Sequence, residues 1–252
     1  MKKYDTLIFD LDGTLAVSKQ EISKQMADLL SRASTMVNIV VITGGKFQQI
    51  KKQVIDQLTD EAHLGNIYIL PTTGSAMRSY DSGNWTIVYE LELTQQQKDR
   101  IIASLQNALQ QASFDIDQSI LCGEQIEDRH SQITLSALGQ EQLPEIKKAW
   151  DPDYTKRKEL VSLLSGLEDE FSVKFGGTTS IDITLAGIDK AYGINEFYDH
   201  VPFKIENGLF IGDEIKPGGN DFAATKTAID TKDTSGPEET MDIINNVLEA
   251  YN

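Results

Sequence analysis

Hydrophobic and polar positions occur in blocks along the chain, and these blocks predict strands and helices in alternation. Residues 6–9 form an apolar run of strand length, and residues 22–33 repeat apolar side chains at helical spacing. A second apolar run covers residues 37–42, an amphipathic stretch covers residues 47–58, and a third run covers residues 67–70. Strand, helix and strand in this order predict an α/β fold with a parallel sheet.

The pattern changes near residue 77, where a hairpin turn at Asp81-Ser82-Gly83-Asn84 introduces antiparallel structure. Helices are then predicted at about 95–112 and 155–170, with strands at 132–137, 171–175 and 179–185; the strand at 132–137 alternates as if half-buried. This mixture predicts an inserted α+β domain over residues 92–187, within a core formed by residues 1–91 and 188–252. We expect the insert to be a cap placed over the site.

Two carboxylates, Asp10 and Asp12, follow the first apolar run directly, two residues apart and next to Gly13. The period of two in a strand places both side chains on one side, where their charges repel unless a cation or a shared proton intervenes. They could be two exposed acidic residues at a strand end. The chemical interpretation makes one carboxylate a nucleophile and the other a general acid or base, with Mg²⁺ between them and a phosphate.

Polar residues also follow two other predicted strands. Thr43 and Gly44 end the second run, at the edge of the sheet where α/β proteins bind ligands. A later apolar run, residues 208–212, ends in Asp213, and a glycine-rich segment leads to Asn220 and Asp221. Glycines there would let the backbone approach an ion or a phosphate closely. The alternative for Thr43 and Gly44 is an ordinary strand-to-helix turn, and the alternative for the segment from Asp213 to Asp221 is a surface loop.

Composition narrows the classes of function. The net charge of -16 repels polyanions, so we expect no nucleic-acid partner. The single Cys122 excludes an intramolecular disulfide, and we expect it to be a small buried or half-buried residue. The sequence shows no apolar signal segment and no run long enough to cross a bilayer, so we expect no membrane partner and a cytoplasmic location.

The segment DLDGTL, residues 10–15, resembles the nucleophile motif of the haloacid dehalogenase-like (HAD) phosphotransferases. The resemblance implies a Rossmann-like HAD core in which Asp10 forms an aspartyl phosphate and Asp12 is the general acid and base. Thr43 resembles the second motif, whose hydroxyl holds the transferring phosphate. Three further residues complete the implied site. Lys190 would neutralise the nucleophile, and Mg²⁺ would bind Asp10, the backbone carbonyl of Asp12 and Asp213, with Asp221 in the outer shell.

A closer resemblance, over most of the chain, is to the eukaryotic-type phosphomannomutases. Three segments show it: GDEIKPGGND at residues 212–221, GGTTSIDIT with GIDK at residues 176–184 and 187–190, and RHSQITLSALG at residues 129–139. The resemblance implies that Arg129, Ser180 and Asp182 hold the distal phosphate and the hexose. From the residues alone, Arg129 could be a surface charge, and Ser180 and Asp182 could lie on a solvated sheet face.

The departures from the mutase pattern fall on residues that would bind substrate. Three arginines of the mutase pattern are absent here. Gln140 occupies the position of the first, Lys147 or Lys148 that of the next arginine in the cap, and Lys19 that of the arginine shortly after the first motif. The mutases also have a serine near Gly45. Arginine binds phosphate in a bidentate manner that lysine and glutamine do not reproduce.

The sequence therefore predicts a Mg²⁺-dependent phosphotransferase acting on a phosphorylated hexose, with phosphomannomutase as the first candidate. A sugar-phosphate phosphatase, in which water discharges Asp10, is the second. A catalytically silent sugar-phosphate binding module is the third, and it would not need both Asp10 and Asp12. A homodimer is a further expectation.

Overall fold

Strands and helices alternate through most of the chain in the computed structural model, which describes residues 2–167 and 169–251. Over these residues the strands are β1 (Thr6–Phe9), β2 (Asn38–Ile42), β3 (Ile67–Leu70), β4 (Ala76–Asp81), β5 (Asn84–Glu90), β6 (Ile126–Asp128), β7 (Gln132–Ser136), β8 (Phe171–Gly176), β9 (Ser180–Leu185), β10 (Gly208–Gly212) and β11 (Asp230–Asp233). The α-helices are α1 (Lys24–Ala33), α2 (Phe47–Gln53), α3 (Gln95–Gln111), α4 (Pro144–Trp150), α5 (Thr155–Leu163), α6 (Lys190–Asp199) and α7 (Pro237–Leu248). None of the helices in the described part of the chain is long and apolar enough to span a membrane.

The chain divides into two compact units. The core unit contains the described residues up to Glu90 and those from Ile188 onward, and the insert unit runs from Leu91 to Gly187. The core unit is therefore built from both ends of the sequence, with the insert unit between them in the chain.

A seven-stranded sheet in the order β11-β10-β1-β2-β3-β4-β5 organises the core unit. The first five of these strands are parallel, and the β4–β5 hairpin extends the sheet with antiparallel pairing. In β1, Leu7 and Phe9 pack in one cluster with α1, α2 and α7, while Ile8 packs in a second cluster with α6. Helices cover both faces of the sheet, and the predicted α/β fold is confirmed.

The insert unit contains a four-stranded antiparallel sheet in the order β6-β7-β9-β8. Its apolar residues form one cluster with α3 and α5, to which Ile133, Ile181 and Ile183 contribute from the two central strands. Alternation in β9 leaves Ser180 and Asp182 only half-buried on the other side, whereas Thr184 is buried.

Three sequence expectations are wrong in the insert unit. The helix expected at 155–170 ends at Leu163, because Leu164 is extended and Gly166 takes a positive φ; position 168 lies outside the described residues. The strand at 132–137 is buried on both faces, since its polar side chains bond within the protein, as Thr134 does to Asp182. Cys122 is exposed. Neither α4 and β6 in the insert unit nor β11 in the core unit was predicted from the sequence.

Candidate active site

Several predicted site residues of the core unit follow the carboxyl ends of its parallel strands. Asp10 follows β1, and its backbone N–H donates to the carbonyl of Ile211 in β10 at 3.0 Å. Thr43 follows β2 and Asp213 follows β10. Because parallel strands end at the same edge of a sheet, residues far apart in the sequence meet there.

A buried lysine joins two of the carboxylates. Lys190, the first residue of α6, places its Nζ 2.5 Å from Asp10 Oδ1 and also forms an ion pair with Asp221 Oδ1. The side chains of Lys190, Asp10 and Asp221 are at most 6% exposed. Asp189 caps the helix by accepting the N–H of Tyr192 at 3.0 Å, which fixes where α6 begins and so where Lys190 lies.

The negative charges in this cluster exceed the positive ones. Asp10, Asp213 and Asp221 each place a carboxylate oxygen within 4.8 Å of the other two, with one lysine among them. Burial raises the pKa of Asp10 to about 7, Lys190 opposes this shift, and the charges of Asp221 and Asp213 add to it. Burial would lower the pKa of Lys190, but the carboxylates of Asp10 and Asp221 outweigh burial and hold it above its usual range.

The cluster fits a divalent cation. Converging carboxylate oxygens are the ligands that Mg²⁺ and Ca²⁺ prefer, and a cation at this point would relieve the repulsion among the three carboxylates, which adds to the effect of burial on the pKa of Asp10. Asp221, expected in the outer shell, lies in the same cluster as Asp10 and Asp213.

Asp12 is oriented by the chain that follows it. The backbone N–H of Lys19, whose φ is 61°, donates to Asp12 Oδ1 at 2.5 Å. Burial raises the pKa of Asp12, and the bond from Lys19 and the lysine charges act against this rise. A carboxyl group with a raised pKa holds a proton more readily near neutral pH, as a general acid must.

Backbone hydrogen bonds tie the Thr43–Gly45 segment to the turn after β3. Thr43 donates its N–H to Leu70 at 3.2 Å, and Thr73 and Thr72 donate theirs to the carbonyls of Thr43 and Gly45 at 2.8 and 3.0 Å. Gly44 between them is half-buried. The sequence analysis missed this turn, although Pro and Gly around two threonines at residues 71–74 signal one.

Close approaches explain two glycines of the motifs. Gly13 has a φ of 94°, and a Cβ there would collide with the Asp213 carboxylate. A Cβ at Gly212 would collide with the carboxylate of Asp221, which also accepts the N–H of Glu214 at 3.0 Å. Asn220, beside Asp221, is exposed.

Thr14 is a further residue of the site that the sequence analysis did not single out. It is fully buried, and its hydroxyl donates to Asp213 Oδ1 at 3.2 Å. Its signal was its place in the DLDGTL segment. Thr14 thus links the first motif to the last one, 199 residues away.

Arg129, in the insert unit, is neither free nor fully exposed. Its Nε lies 2.6 Å from Glu127 Oε2, its Nη2 donates to Gln140 Oε1 at 3.4 Å, and its side chain is 11% exposed. Lys147 is buried, and its Nζ donates to the carbonyl of Gln140 at 2.9 Å, whereas Lys148 is exposed. Hydrogen bonds within the unit therefore connect Arg129 with Gln140 and Gln140 with Lys147, two positions at which the chain departs from the mutase pattern.

Ser180 and Asp182 lie on β9, two residues apart. Ser180 pairs with Ser136 of β7 and with Gly176 of β8, and Asp182 accepts the hydroxyl hydrogen of Thr134 at 2.8 Å. Both side chains are half-buried. The strand thus holds the hydroxyl and the carboxylate at fixed register positions.

Curated relatives resemble the chain over nearly its whole length. It is 27% identical to a probable phosphomannomutase of Caenorhabditis elegans over 96% of this chain and 95% of the relative. Identity to phosphomannomutase 1 of Dictyostelium discoideum is 26% over 96% and 95% of the two chains. For a phosphomannomutase of Spinacia oleracea it is 27% over 93% and 92%.

Solved structures share the fold. An IMP-bound IMP-nucleotidase of Plasmodium falciparum matches with a TM-score of 0.66 and 17% identity, over 98% of this chain and 68% of that one. The protein SMU.1108c of Streptococcus mutans matches with a TM-score of 0.63 and 15% identity, over 98% and 100%. The HAD phosphatase BT1666 of Bacteroides thetaiotaomicron matches with a TM-score of 0.59 and 16% identity, over 99% and 95%.

The family itself follows from a match to a family model. The model of the haloacid dehalogenase-like hydrolases matches residues 7–222, which include the first motif, the Thr43 segment, Lys190 and the Asp213–Asp221 segment. The match covers most of the chain, and the resemblance inferred from its motifs is confirmed. The chain belongs to the enzyme family of the haloacid dehalogenase-like hydrolases.

Proposed function

We propose that this enzyme transfers a phosphoryl group on a hexose phosphate through an aspartyl phosphate on Asp10, and that it interconverts mannose 6-phosphate and mannose 1-phosphate. The observation that supports phosphoryl transfer most directly is the buried cluster in which Lys190 contacts both Asp10 and Asp221, with Asp213 within reach. Such a cluster is costly to bury unless an anionic substrate and a cation use it.

The cation in this proposal is Mg²⁺, held by the carboxylates of Asp10 and Asp213 and by the backbone carbonyl of Asp12, with Asp221 in the outer shell. Bound there, it would supply positive charge against the phosphoryl oxygens. Thr14 would keep Asp213 oriented through its hydrogen bond.

The chain's own residues account for the bonds made and broken. A carboxylate oxygen of Asp10, held by Lys190, attacks phosphorus, and the bond from phosphorus to the sugar oxygen breaks. Asp12 gives its proton to that leaving oxygen and then takes a proton from the hydroxyl group that receives the phosphoryl group. The hydroxyl of Thr43 and the backbone of Gly44 bind the oxygens of the transferring phosphate, and Asn220, in the segment after β10, is assigned to substrate binding as well.

Likeness to the curated phosphomannomutases over 93–96% of the chain supports the mutase as the first candidate. In a mutase the bisphosphate intermediate must be held at its non-transferring end while it turns round. In this proposal Arg129, Ser180 and Asp182 bind that end of the intermediate, as the resemblance to the phosphomannomutases implies. A cytoplasmic location and a homodimer stay predictions.

The ion pair of Arg129 favours a second candidate, a sugar-phosphate phosphatase. Glu127 neutralises Arg129, and Gln140 accepts a hydrogen bond from it where the mutases have a second arginine. A guanidinium that is already paired grips a distal phosphate less strongly. The dephosphorylated sugar would then leave, and water would attack the aspartyl phosphate and release free phosphate from Asp10.

One experiment separates the two candidates. The enzyme is incubated with mannose 1-phosphate and Mg²⁺, with and without a hexose 1,6-bisphosphate, while mannose 6-phosphate and free phosphate are both measured. A mutase forms mannose 6-phosphate as its main product and responds to the bisphosphate. Main release of free phosphate in the presence of the bisphosphate makes the enzyme a phosphatase.

The matched control is Asp12→Asn, which keeps the size of the side chain and the metal site but removes the carboxyl group that gives and takes the proton. Both products should fall by about 10²- to 10⁴-fold in this variant, the range for loss of a general acid. Excess chelator should abolish both products reversibly. If the unmodified enzyme forms neither product with Mg²⁺ present, the proposal for hexose phosphates is wrong.

A further inference from the structure

A second buried ion pair, unused in the proposed function, lies in the insert unit. Arg157 Nε is 2.7 Å from Asp151 Oδ2, and the two side chains are 2% and 0% exposed. Asp151 also accepts the N–H groups of Lys156 at 2.9 Å and of Arg157 at 3.3 Å, at the first turn of α5. Asp151 therefore fixes both the start of α5 and the direction of the guanidinium.

The other side of the guanidinium reaches a hairpin turn. Arg157 Nη1 donates to the carbonyl of Gly177 at 2.8 Å and makes a longer contact of 3.4 Å with that of Gly176. These glycines begin the turn between β8 and β9. A buried ion pair adds little stability compared with apolar side chains of similar volume, so its use here is better explained by the geometry it imposes.

Two aromatic rings hold the guanidinium in place. Its Cζ lies 4.5 Å from the centroid of the Tyr154 ring and 5.4 Å from that of Phe175. Tyr154 has a φ of 65°, a left-handed conformation that is strained for a bulky residue. The chain thus accepts local strain at Tyr154, a residue whose ring stacks on Arg157.

The turn determines where two residues that are predicted to bind substrate, Ser180 and Asp182, lie. Gly176 pairs with Ser180, and a Cβ at Gly176 would collide with the carboxylate of Asp182. The carbonyl of Thr179 accepts the N–H of Ala137 at 3.1 Å, which ties the turn to the end of β7. A displacement of the turn would therefore move Ser180 and Asp182 with it.

We propose that Arg157 is a positioning residue for substrate recognition. By holding the carbonyls of Gly176 and Gly177, it fixes the hydroxyl of Ser180 and the carboxylate of Asp182 in the arrangement that binds sugar hydroxyl groups. The proposal rests on the proposed function for the roles of Ser180 and Asp182. The new element of the proposal is that Arg157, on α5, controls affinity for the sugar through the turn and not by binding the sugar itself.

The test compares Arg157→Lys with a control of similar cost to folding, Leu105→Ala. Lysine keeps the positive charge that pairs with Asp151. Its single ammonium group does not reproduce the planar guanidinium, which contacts Asp151 and the Gly177 carbonyl at the same time. Leu105, on α3, is fully buried, so its truncation destabilises the insert unit through a cavity. We expect Arg157→Lys to raise KM for the hexose phosphate about 10- to 100-fold with a smaller change in kcat, since small misplacements of a site cost about this much. Leu105→Ala should leave KM unchanged.

Amide hydrogen exchange at residues 177–180 gives a readout that does not depend on turnover. Exchange there should accelerate in Arg157→Lys more than elsewhere in the insert unit, and in Leu105→Ala it should follow the whole unit. Unchanged exchange at the turn, or a KM equal to that of the unmodified enzyme, overturns the proposal. If the unmodified enzyme does not act on hexose phosphates, the proposed function fails, and exchange at the turn alone decides whether Arg157 holds it.

Discussion

The two units each bury a cluster of charged side chains, and the two clusters differ in how far their positive and negative charges balance. In the core unit one lysine faces Asp10, Asp213 and Asp221, whereas in the insert unit Arg157 faces one carboxylate and two carbonyls. Balanced buried charges are satisfied within the protein and fix geometry. An excess of one sign stays costly until a ligand of the other sign arrives, and we infer that this excess marks the chemical site.

The largest effect should come from the carboxylate at the centre of the unbalanced cluster. Asp10→Asn keeps the shape of the side chain but removes the nucleophile, so turnover should fall by several powers of ten. The measurement is steady-state turnover of the hexose phosphate, with circular dichroism to show that the fold persists. Activity above about one percent of the unmodified enzyme would contradict the aspartyl-phosphate mechanism.

Removing one partner from each cluster should separate the two by their response to Mg²⁺. Lys190→Met leaves Asp10 and Asp221 facing each other, and Asp151→Asn leaves Arg157 unpaired, so each should lower the free energy of unfolding by about 3–5 kcal/mol. Added Mg²⁺ should restore part of the loss in Lys190→Met, because it binds the folded cluster, and none in Asp151→Asn. Equal responses of the two variants in denaturant unfolding would remove the distinction between the clusters.

Thr14 offers a smaller change at the edge of the unbalanced cluster. Thr14→Val keeps the shape of the side chain but loses the hydrogen bond to Asp213, so the Mg²⁺ concentration for half-maximal activity should rise about 10- to 100-fold. Thr35→Val, which removes an exposed hydroxyl of the core unit, is the control and should leave Mg²⁺ dependence unchanged. An unaltered Mg²⁺ requirement in Thr14→Val would place Asp213 outside the metal site.

The smallest expected effect comes from removing the negative charge of the ion pair between Arg129 and Glu127. Glu127→Gln leaves the guanidinium of Arg129 without its carboxylate, so KM for a hexose bisphosphate should fall about fivefold, or about 1 kcal/mol. Glu124→Gln removes the same charge from an exposed position and should change KM less. If both variants behave alike, Arg129 does not bind the distal phosphate.

Sequence alone was sufficient where a feature depends on neighbours in the chain. Apolar runs predicted β1, β2, β3 and β10, because a strand buried on both faces must be apolar throughout. The carboxylates and the threonine that follow these strands were predicted as site residues because parallel strands end at one edge. The helix expected at 155–170 was wrong because leucines at helical spacing continue beyond Leu163, where the backbone becomes extended.

Tertiary structure decided how the charges are paired. Lys190 and Asp10 are 180 residues apart and no periodicity links them, so only the resemblance to the HAD motifs implied that they meet. The pairing of Arg129 with Glu127, and of Arg157 with Asp151 and the Gly177 carbonyl, depends on rotamers and on where α5 packs, which residue spacing does not specify. Local propensity acts over a few residues, whereas the balance of charge in a buried site is set by every segment that folding brings within a few ångströms.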